Sequence, residues 1–467
     1  MNFKHILFAA LVAGGGTAFA QQVNTADIES TGANNQNRIQ QDKQNSSGPN
    51  DAFVRNGATG APSDGNTANV TQQGGFNRTS VLTSGDGNTA NVLQAGGTNA
   101  FVEQDGDADL TVIDQREGAT ARVLQQGGTA GAGQNVARVT QSGSNGNGRN
   151  VVGLSQDGDS NTSNNTQTGA GNVVSGDLAG GGVFDSAPNF ATQTGDRNIL
   201  VTNQTSTNGA IASNQTGNAH EARFTQSAAD NEATSTQSGR ANVLNATQSG
   251  ADNEATSTQE GESGLAVVSQ AGTSNVALID QLGASGLNNR SYITQVATAS
   301  DNNASSYSGG GVSNVSRINQ AGSSARARTE THGTANDLFI TQAGVDNEAY
   351  INNRGVNGNR ANRSNIDIIQ TGGDLNEAAV NVGGDGNVVN VNQSGESNAV
   401  GAVYGTFGVV VDGDRNNVEV DQTGDANSAT VLLTGDANLA RVNQSGADDI
   451  SRITVEGMRN TSTIIQK

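Results

Sequence analysis

An internal repeat of glutamine at fixed intervals limits this chain to a small number of folds. Nine glutamines, from Gln193 to Gln281, stand at unbroken intervals of 11 residues. Elsewhere glutamine returns only after 22 residues, as at Gln72 and Gln94, and Thr83 occupies the midpoint. Self-similarity at a period of roughly 20 to 50 residues is typical of solenoids and other repeat architectures. The spacing therefore predicts a coil whose rungs of 22 residues each contain two non-equivalent halves of 11.

Within each half, hydropathy alternates with a period of two. Asn427, Ala429, Val431 and Leu433 fall on one face of a predicted strand, and the residues between them are polar. This alternation excludes a helix. Four residues of the kind seen at 423–426 separate successive strands, and their glycine allows the positive φ that a tight corner needs. The predicted fold class is all-β: a β-solenoid of stacked 22-residue rungs, with two strands and two corners per rung.

Buried side-chain amides are predicted to replace much of the hydrophobic core. Only 33% of the residues are hydrophobic, against roughly 45 to 50% in globular domains, and such a composition taken alone indicates disorder. In stacked rungs about 4.8 Å apart, backbone groups pair with the rungs above and below. Inward Asn and Gln side chains can also bond to their own copies. The predicted ladder residues are Gln193, Gln204, Gln215, Gln226, Gln237, Gln248, Gln259, Gln270, Gln281, Asn231, Asn242, Asn253, Asn275, Gln422, Gln444 and Gln466.

Composition and motifs argue against most other kinds of function. A formal charge of −20 disfavours nucleic acid as a partner, and the chain has no Cys for disulfides or thiolate metal sites. Beyond the predicted leader there are only two histidines, His220 and His332, which are too few to predict a shared metal site. No nucleophile elbow, phosphate loop or dinucleotide fingerprint is present. The chain is predicted to have no enzymatic activity and no cofactor.

The first 20 residues have the pattern of a secretory signal peptide. Lys4 precedes the apolar run 6–13, and Ala18-Phe19-Ala20 provides the small residues that signal peptidase recognises. No later stretch approaches the roughly 20 apolar residues that a spanning helix requires. The chain is therefore predicted to be cleaved before Gln21, to be secreted, and not to span a membrane.

Breaks in the repeat predict the division of the chain. Residues 21–65 repeat poorly and are predicted to be a flexible leader or a degenerate cap. Residues 66–467 are predicted to form the solenoid. The spacing fails at four places inside it, which are predicted to be inserted loops near 142–156, 174–192, 354–369 and 400–415.

The repeat unit resembles the curlin repeat of the bacterial curli family. The family motif, Gln-x-Gly-x-x-Asn-x-Ala followed by a further Gln, stands here as Gln72, Gly74 and Asn77, and again from Gln444 through Gly446 to Gln466. The resemblance implies export through a dedicated outer-membrane pore and assembly outside the cell into amyloid fimbriae for adhesion and biofilm matrix. It also implies that the partners are other copies of the chain or related curlin subunits.

Several alternatives stay open at the level of sequence. Curli subunits usually carry a handful of repeats, whereas this chain carries many, so the chain could be a fibre subunit, a nucleator or a monomeric surface adhesin. The Asp-Gly-Asp triplets at 105–107, 157–159 and 412–414 could bind calcium as in acidic β-rolls, although Asp and Gly also favour corners. A polysaccharide lyase on a parallel β-helix is disfavoured by the short, regular rungs, and an ice-binding solenoid by the mixed outward residues.

Overall fold

A computed structural model describes residues 23–42, 48–57, 63–127, 133–143, 149–175, 191–282, 288–354, 360–402 and 406–467. The predicted signal peptide, residues 1–20, lies outside these described residues. Within them the regular structure consists of β-strands, and no helix is present.

The strands follow one another at short intervals from one end of the described chain to the other. In chain order they are β1 (Thr25–Ser30), β2 (Gln36–Asp42), β3 (Asp51–Asn56), β4 (Thr67–Gln73), β5 (Arg78–Ser84), β6 (Thr89–Ala95), β7 (Asn99–Asp105), β8 (Leu110–Arg116), β9 (Thr120–Gln126), β10 (Val136–Ser142), β11 (Val151–Asp157), β12 (Thr162–Thr168), β13 (Val173–Ser175), β14 (Ala191–Thr194), β15 (Ile199–Gln204), β16 (Ala210–Asn218), β17 (Glu221–Gln226), β18 (Glu232–Arg240), β19 (Val243–Gln248), β20 (Glu254–Glu262), β21 (Leu265–Thr273), β22 (Val276–Leu282), β23 (Arg290–Ser300), β24 (Asn303–Gly309), β25 (Val315–Gln320), β26 (Arg326–Thr331), β27 (Asp337–Gln342), β28 (Glu348–Asn352), β29 (Asn365–Thr371), β30 (Glu377–Gly383), β31 (Val388–Ser394), β32 (Ala399–Ala402), β33 (Thr406–Phe407), β34 (Val409–Asp412), β35 (Asn417–Thr423), β36 (Ser428–Thr434), β37 (Leu439–Gln444), β38 (Ile450–Glu456) and β39 (Thr461–Gln466).

The strands build two facing parallel sheets, which the chain enters alternately. The first sheet begins with β1, β3 and β5, and the second with β2, β4 and β6. In the regular stretches each residue pairs with the residue 22 positions later, as Gln226 does with Gln248. The result is a β-solenoid of about 18 rungs with a spacing of about 22 residues, which confirms the predicted fold class. At about 4.8 Å per rung the rod is about 80 Å long.

Strand pairing extends N-terminal of the predicted boundary at Asn66. Strand β1 pairs in parallel with β3, and β2 pairs with β4, so residues 25–56 contribute the first rungs of the same coil. The segment repeats poorly in sequence because its corners are longer than four residues. Its strands nevertheless keep the inward alternation, since Ala52 and Val54 are buried.

Strands occupy parts of the four segments predicted to be loops, and residues 144–148, 176–190, 355–359 and 403–405 of those segments lie outside the described residues. Between β10 and β11 the added residues lie between Ser142 and Val151, so 151–156 is strand and not loop. Likewise β29 occupies 365–371, inside the loop predicted near 354–369. Near 174–192 and 400–415 two short strands of the first sheet occupy the place of one. There β13 and β14 both pair with β16, at different parts of that strand, and β32 and β34 both pair with β36 in the same way.

The interior is a thin layer between the two sheets. As predicted, Asn427, Ala429, Val431 and Leu433 are fully buried, whereas the alternate residues of β36 reach the surface. A typical half-rung contributes one Ala and one Val, Ile or Leu to this layer. Burying a branched side chain of this size contributes roughly 1.5 to 3 kcal/mol, so many small contributions accumulate along the rod.

Two structural features require the glycine that recurs at the corners. Gly424 has φ of 103°, which disfavours other residues, and a Cβ built on it would lie 2.1 Å from the carbonyl oxygen of Gly446 in the next rung. The same close approach occurs at Gly217 and Gly435. At these three positions the stacked corners leave no volume for a side chain, so glycine is required there by packing as well as by φ.

Replacing Gly424 by Ala is expected to destabilise its rung by about 3 kcal/mol or more, because backbone strain and a backbone clash combine. This is as large as the larger stability losses measured for single substitutions. Gly310 provides the matched control, since its φ is 70° but no atom lies within 4 Å of its Cβ position. Gly310→Ala is expected to cost only about 1 kcal/mol. Amide hydrogen exchange of the peptides around each corner measures the two losses, and equal losses would contradict the packing argument.

Candidate functional site

An unbroken column of glutamines runs along one side of the interior. Every strand of the second sheet carries an inward Gln at the same register position. Each Nε2 donates to Oε1 of the next residue in the column, at distances of 2.7 to 3.2 Å. The column consists of Gln41, Gln72, Gln94, Gln115, Gln141, Gln167, Gln204, Gln226, Gln248, Gln270, Gln295, Gln320, Gln342, Gln370, Gln393, Gln422, Gln444 and Gln466.

All amides of this column point the same way. The second Nε2 proton of Gln248 is donated to the carbonyl of Glu232, and that of Gln444 to the carbonyl of Ser428, both in the opposite sheet. Because only the NH₂ end can donate to a carbonyl, these bonds fix the orientation of each amide. The column therefore joins the two sheets and has a direction, with donors towards the C-terminal end of the rod and acceptors towards the N-terminal end.

The first sheet carries only a partial column. Its eight glutamines bond in the same manner, from Gln104 to Gln281. C-terminal of Gln281 the same register position holds Ser308 and Thr331, and nearer the end it becomes apolar. The apolar residues at this position are Val382, Val411, Leu433 and Val455.

The structure divides the predicted ladder residues between the two sheets. Consecutive glutamines of the 11-residue series lie on opposite sheets, and hydrogen bonds join those that are 22 residues apart. The first-sheet members are Gln193, Gln215, Gln237, Gln259 and Gln281. The second-sheet members are Gln204, Gln226, Gln248, Gln270, Gln422, Gln444 and Gln466. Of the asparagines, Asn231, Asn253 and Asn275 belong to the first sheet and Asn242 to the second.

Spacing alone missed several members of the column. Gln115, Gln167, Gln295, Gln370 and Gln393 fall where loops or shortened corners change the distance between repeats. The local pattern at a strand end, a branched apolar residue two positions before a Gln, marks most of these residues without reference to spacing. Val391 and Gln393 show this pattern within β31.

A second set of columns lies where each strand begins. The Oδ1 of Asn253 accepts the backbone N–H of Asn275 at 3.1 Å, and Asn253 itself donates its N–H to Asn231. The Nδ2 group donates to a corner carbonyl, as Asn66 does to Gly85 at 2.8 Å. Each asparagine therefore supplies one acceptor and at least one donor to corners that would otherwise leave backbone groups unpaired.

His220 replaces an asparagine in this register and reproduces its hydrogen bonds. Its Nδ1 accepts the N–H of Asn242 at 3.3 Å, and its Nε2 lies 3.1 Å from the carbonyl of Thr216. This arrangement requires the neutral ring with the proton on Nε2. Burial lowers the pKa of His220 below its usual value, because the charged ring would lose its hydration.

Asp109 replaces another asparagine and cannot reproduce the donor. Its Oδ1 accepts the N–H of Asn135 at 3.2 Å, but its buried Oδ2 has no hydrogen-bond partner among the described residues. Burial raises the pKa of Asp109 to about 6, since the ionised carboxylate is poorly solvated there. Once protonated, Oδ2 could donate to a corner carbonyl, as the Nδ2 of Asn88 does to Gly106.

Aspartates of the corners serve as backbone acceptors. Asp107 accepts the N–H of Asp86 at 2.8 Å, and Asp414 accepts the N–H of Asp385 at 2.8 Å. Across the part of the chain that the structure describes, no group of three or more His, Asp or Glu side chains could hold a metal ion. Nor do these residues include a helix with the length and hydropathy needed to cross a membrane.

Comparison with known protein families identifies three segments of the coil. The family model of the Curlin associated repeat matches residues 64–96, 265–296 and 413–446. Each match covers three consecutive strands, and the last spans β35, β36 and β37. No curated protein matches the chain significantly.

Asp109→Asn is expected to stabilise its rung at pH 7 by roughly 1 to 3 kcal/mol, because the amide restores the missing donor. The folded-state pKa of Asp109 lies above the unfolded value of 3.8, so protonation stabilises the native protein. That contribution is complete below pH 3.8 and is lost as the pH rises through about 6. The advantage of the variant should therefore shrink on acidification. Hydrogen exchange of β7–β9 at pH 7, 5 and 4 tests this, and an advantage that does not change with pH would contradict it.

His220→Asn is expected to have the opposite pH dependence. The native pKa of His220 is lowered, so below about pH 6.5 the unfolded chain binds a proton that the folded chain resists. The wild-type rung should lose stability as the pH falls through this range, whereas the variant rung should not. Exchange protection of β15–β19 at pH 7.5 and 5.5 provides the comparison. A wild-type chain with unchanged protection at pH 5.5 would show that His220 titrates normally.

Proposed function

Because three segments of this chain match the Curlin associated repeat, we propose that it is a secreted structural protein that self-assembles end to end into curli-like amyloid fimbriae outside the cell. Cell adhesion and formation of biofilm matrix are the proposed roles of these fibres. Export through a curli-type outer-membrane pore belongs to the same proposal. The role is structural and needs neither catalysis nor a cofactor. The observation that carries the proposal is the fit between the two ends of the described rod.

The two end rungs expose positions that are buried everywhere else. In β1 all six residues are exposed, and Ile28 is 45% exposed although its partner Val54 is fully buried. In β39 the inward Ile464 and Gln466 are only half-buried. Strand edges of this kind present unpaired N–H and C=O groups, which another strand can pair with.

The rod begins on the first sheet and ends on the second, so the first rung of a second copy can continue both sheets. Its first described rung consists of β1 and then β2, and its last consists of β38 and then β39. Continuing the register of the coil places β1 of a second copy beside β38, and β2 beside β39. In this position the Nε2 of Gln466 faces the Oε1 of the second copy's Gln41, which extends the amide column in its existing direction.

Outward charges fit the same register. The continued pairing sets Arg452 of one copy beside Asp27 of the next, and Ile453 beside Ile28. Ion pairs between adjacent rungs occur within the rod, as between Arg326 and Glu348 at 2.8 Å. The docking surface is therefore complementary in hydrogen bonding, shape and charge.

A charge swap tests this register. Arg452→Asp and Asp27→Arg are each expected to slow seeded elongation roughly three- to tenfold at low ionic strength, because facing like charges replace an attractive pair. The double variant should recover most of the rate. Arg138→Asp is the matched control, since it makes the same change of charge in mid-rod between Val112 and Asn164. It should elongate like the wild type.

The measurements are seeded thioflavin kinetics of the purified mature chain and fibre diffraction, with an expected reflection near 4.7 to 4.8 Å. Failure of the double variant to recover would show that the ends do not meet in this register. A wild-type chain that stays monomeric for days at high concentration, with or without seeds, would overturn fibre assembly. That result would favour a monomeric surface adhesin.

A further inference from the structure

A concave site lies on the outer face of the first sheet. It has a volume of about 470 Å³ and lies over β22, β24, β26 and β28. Pockets that bind small molecules usually have volumes of roughly 300 to 1,000 Å³. Its walls combine aromatic, cationic and anionic side chains.

The depression results from short side chains between long ones. Asn303 and Ser305 of β24 form the floor, and the rungs on either side carry longer outward residues. Leu278 of β22 forms one wall, and Arg326 and Arg328 of β26 form the other. The site is therefore a trough on the outer face, bordered by longer side chains on both sides of β24.

Two of the four tyrosines in the chain converge on this trough. Tyr307 and Tyr350 both line it and both are half-buried. The guanidinium of Arg328 lies 5.6 Å from the centre of the Tyr350 ring, and the ring of Phe407 stacks on Tyr350 at 5.7 Å. These contacts hold Tyr350 in place. Tyrosine offers a large, rigid, amphipathic surface at small entropic cost, and its ring face suits ligands with flat apolar faces.

The charges of the trough nearly cancel. Arg326 is bonded to Glu348 at 2.8 Å and Arg328 is paired with Glu330, while Asp280 adds a further carboxylate. Two guanidinium groups thus face three carboxylates on a chain of charge −20. This balance disfavours an anionic ligand. It provides both donors and acceptors for hydroxyl groups, because each guanidinium has five N–H groups and a carboxylate accepts several bonds.

We propose that this trough binds a neutral polysaccharide chain. The ring of Tyr307 stacks on the C–H face of a sugar ring beside the Arg328–Tyr350 pair, Asp280 accepts hydrogen bonds from hydroxyl groups, and the Arg328 guanidinium donates to them. Sugar binding goes beyond the proposed assembly and needs only a single folded chain.

A fibre would repeat this trough once per subunit. The site lies on an outer face of the rod, away from the end rungs that would dock, so assembly leaves it exposed. Sites linked in this way bind one long polymer with an avidity that can exceed the affinity of each site by about 10² to 10⁴. Weak single sites of the size seen here would then suffice to hold a polysaccharide along a fibre.

The test uses freshly purified, unseeded full-length mature chain, so that its outcome is independent of fibre formation. Depletion of the protein from solution is measured with insoluble β-1,4-glucan and insoluble α-1,4-glucan, and intrinsic tyrosine fluorescence is titrated with soluble gluco-oligosaccharides. Binding to at least one neutral glucan is expected, with little effect of 0.5 M salt. Tyr307→Ala combined with Tyr350→Ala should weaken binding at least tenfold.

Tyr292 provides a matched control on the opposite sheet. It too lies beneath a guanidinium, that of Arg317 at 5.7 Å, which is paired with Asp337 at 2.8 Å, but it does not line the trough. Tyr292→Ala should bind like the wild type. Circular dichroism checks that each variant is folded. If the Tyr307 and Tyr350 double variant does not fold, Asp280→Asn replaces it, since this change preserves the shape of the side chain and should also weaken binding.

Four results would overturn the proposal. The first is the absence of binding to both glucans by the folded wild type. The second is an equal loss of binding for Tyr292→Ala and for the variants of the trough. The third is salt-sensitive preference for a polyuronate, which would indicate an anionic ligand. The fourth is self-association of the chain through the trough, which light scattering during the titration detects. Self-association that the trough variants abolish would contradict glycan binding.

Discussion

Parallel backbone pairing between rungs is the constraint on which the whole structure depends. Each strand meets its partners about 4.8 Å above and below, so every rung must repeat the path of its neighbour. Gly424 illustrates how strict this requirement is, since a Cβ there would meet the carbonyl of Gly446 at 2.1 Å. Insertions need not disturb this repetition, since β13 and β14 both pair with the same strand, β16. Regularity thus follows from hydrogen bonding and not from a large apolar core.

The amide columns make this pairing specific. A buried amide is costly unless it is fully bonded, and a slip by one residue would turn the glutamines outward and expose the interior residues. Bonds such as that between Gln226 and Gln248 at 2.8 Å therefore select the register as well as stabilise it. His220 preserves the pattern because its two nitrogens match the acceptor and donor of an asparagine. Asp109 lacks the donor, and its raised pKa is the electrostatic consequence.

The same geometry relates the interior to the proposed function. A column with a direction has a donor end and an acceptor end, and Gln466 and Gln41 lie at these ends of the described rod. Growth by addition of copies then extends a pattern that already exists inside each copy. The outer faces are free to differ from rung to rung, because they do not take part in stacking. The trough around Tyr307 and Tyr350 shows how such a face can acquire a site of its own.

The sequence determined the fold class, the rung length and the identity of most inward residues. Period-two alternation within a 22-residue repeat leaves few other folds, and residues such as Ala429 and Val431 followed directly from it. Tertiary structure alone decided which glutamines bond, because bonding depends on which sheet a strand joins. Gln295 and Gln370 belong to the column although loops change their spacing. It also decided that β1 to β3 enter the coil, and that Tyr307 and Tyr350 share a trough across separate rungs. Such contacts depend on how the rungs stack, and a short-range pattern along the chain does not contain that information.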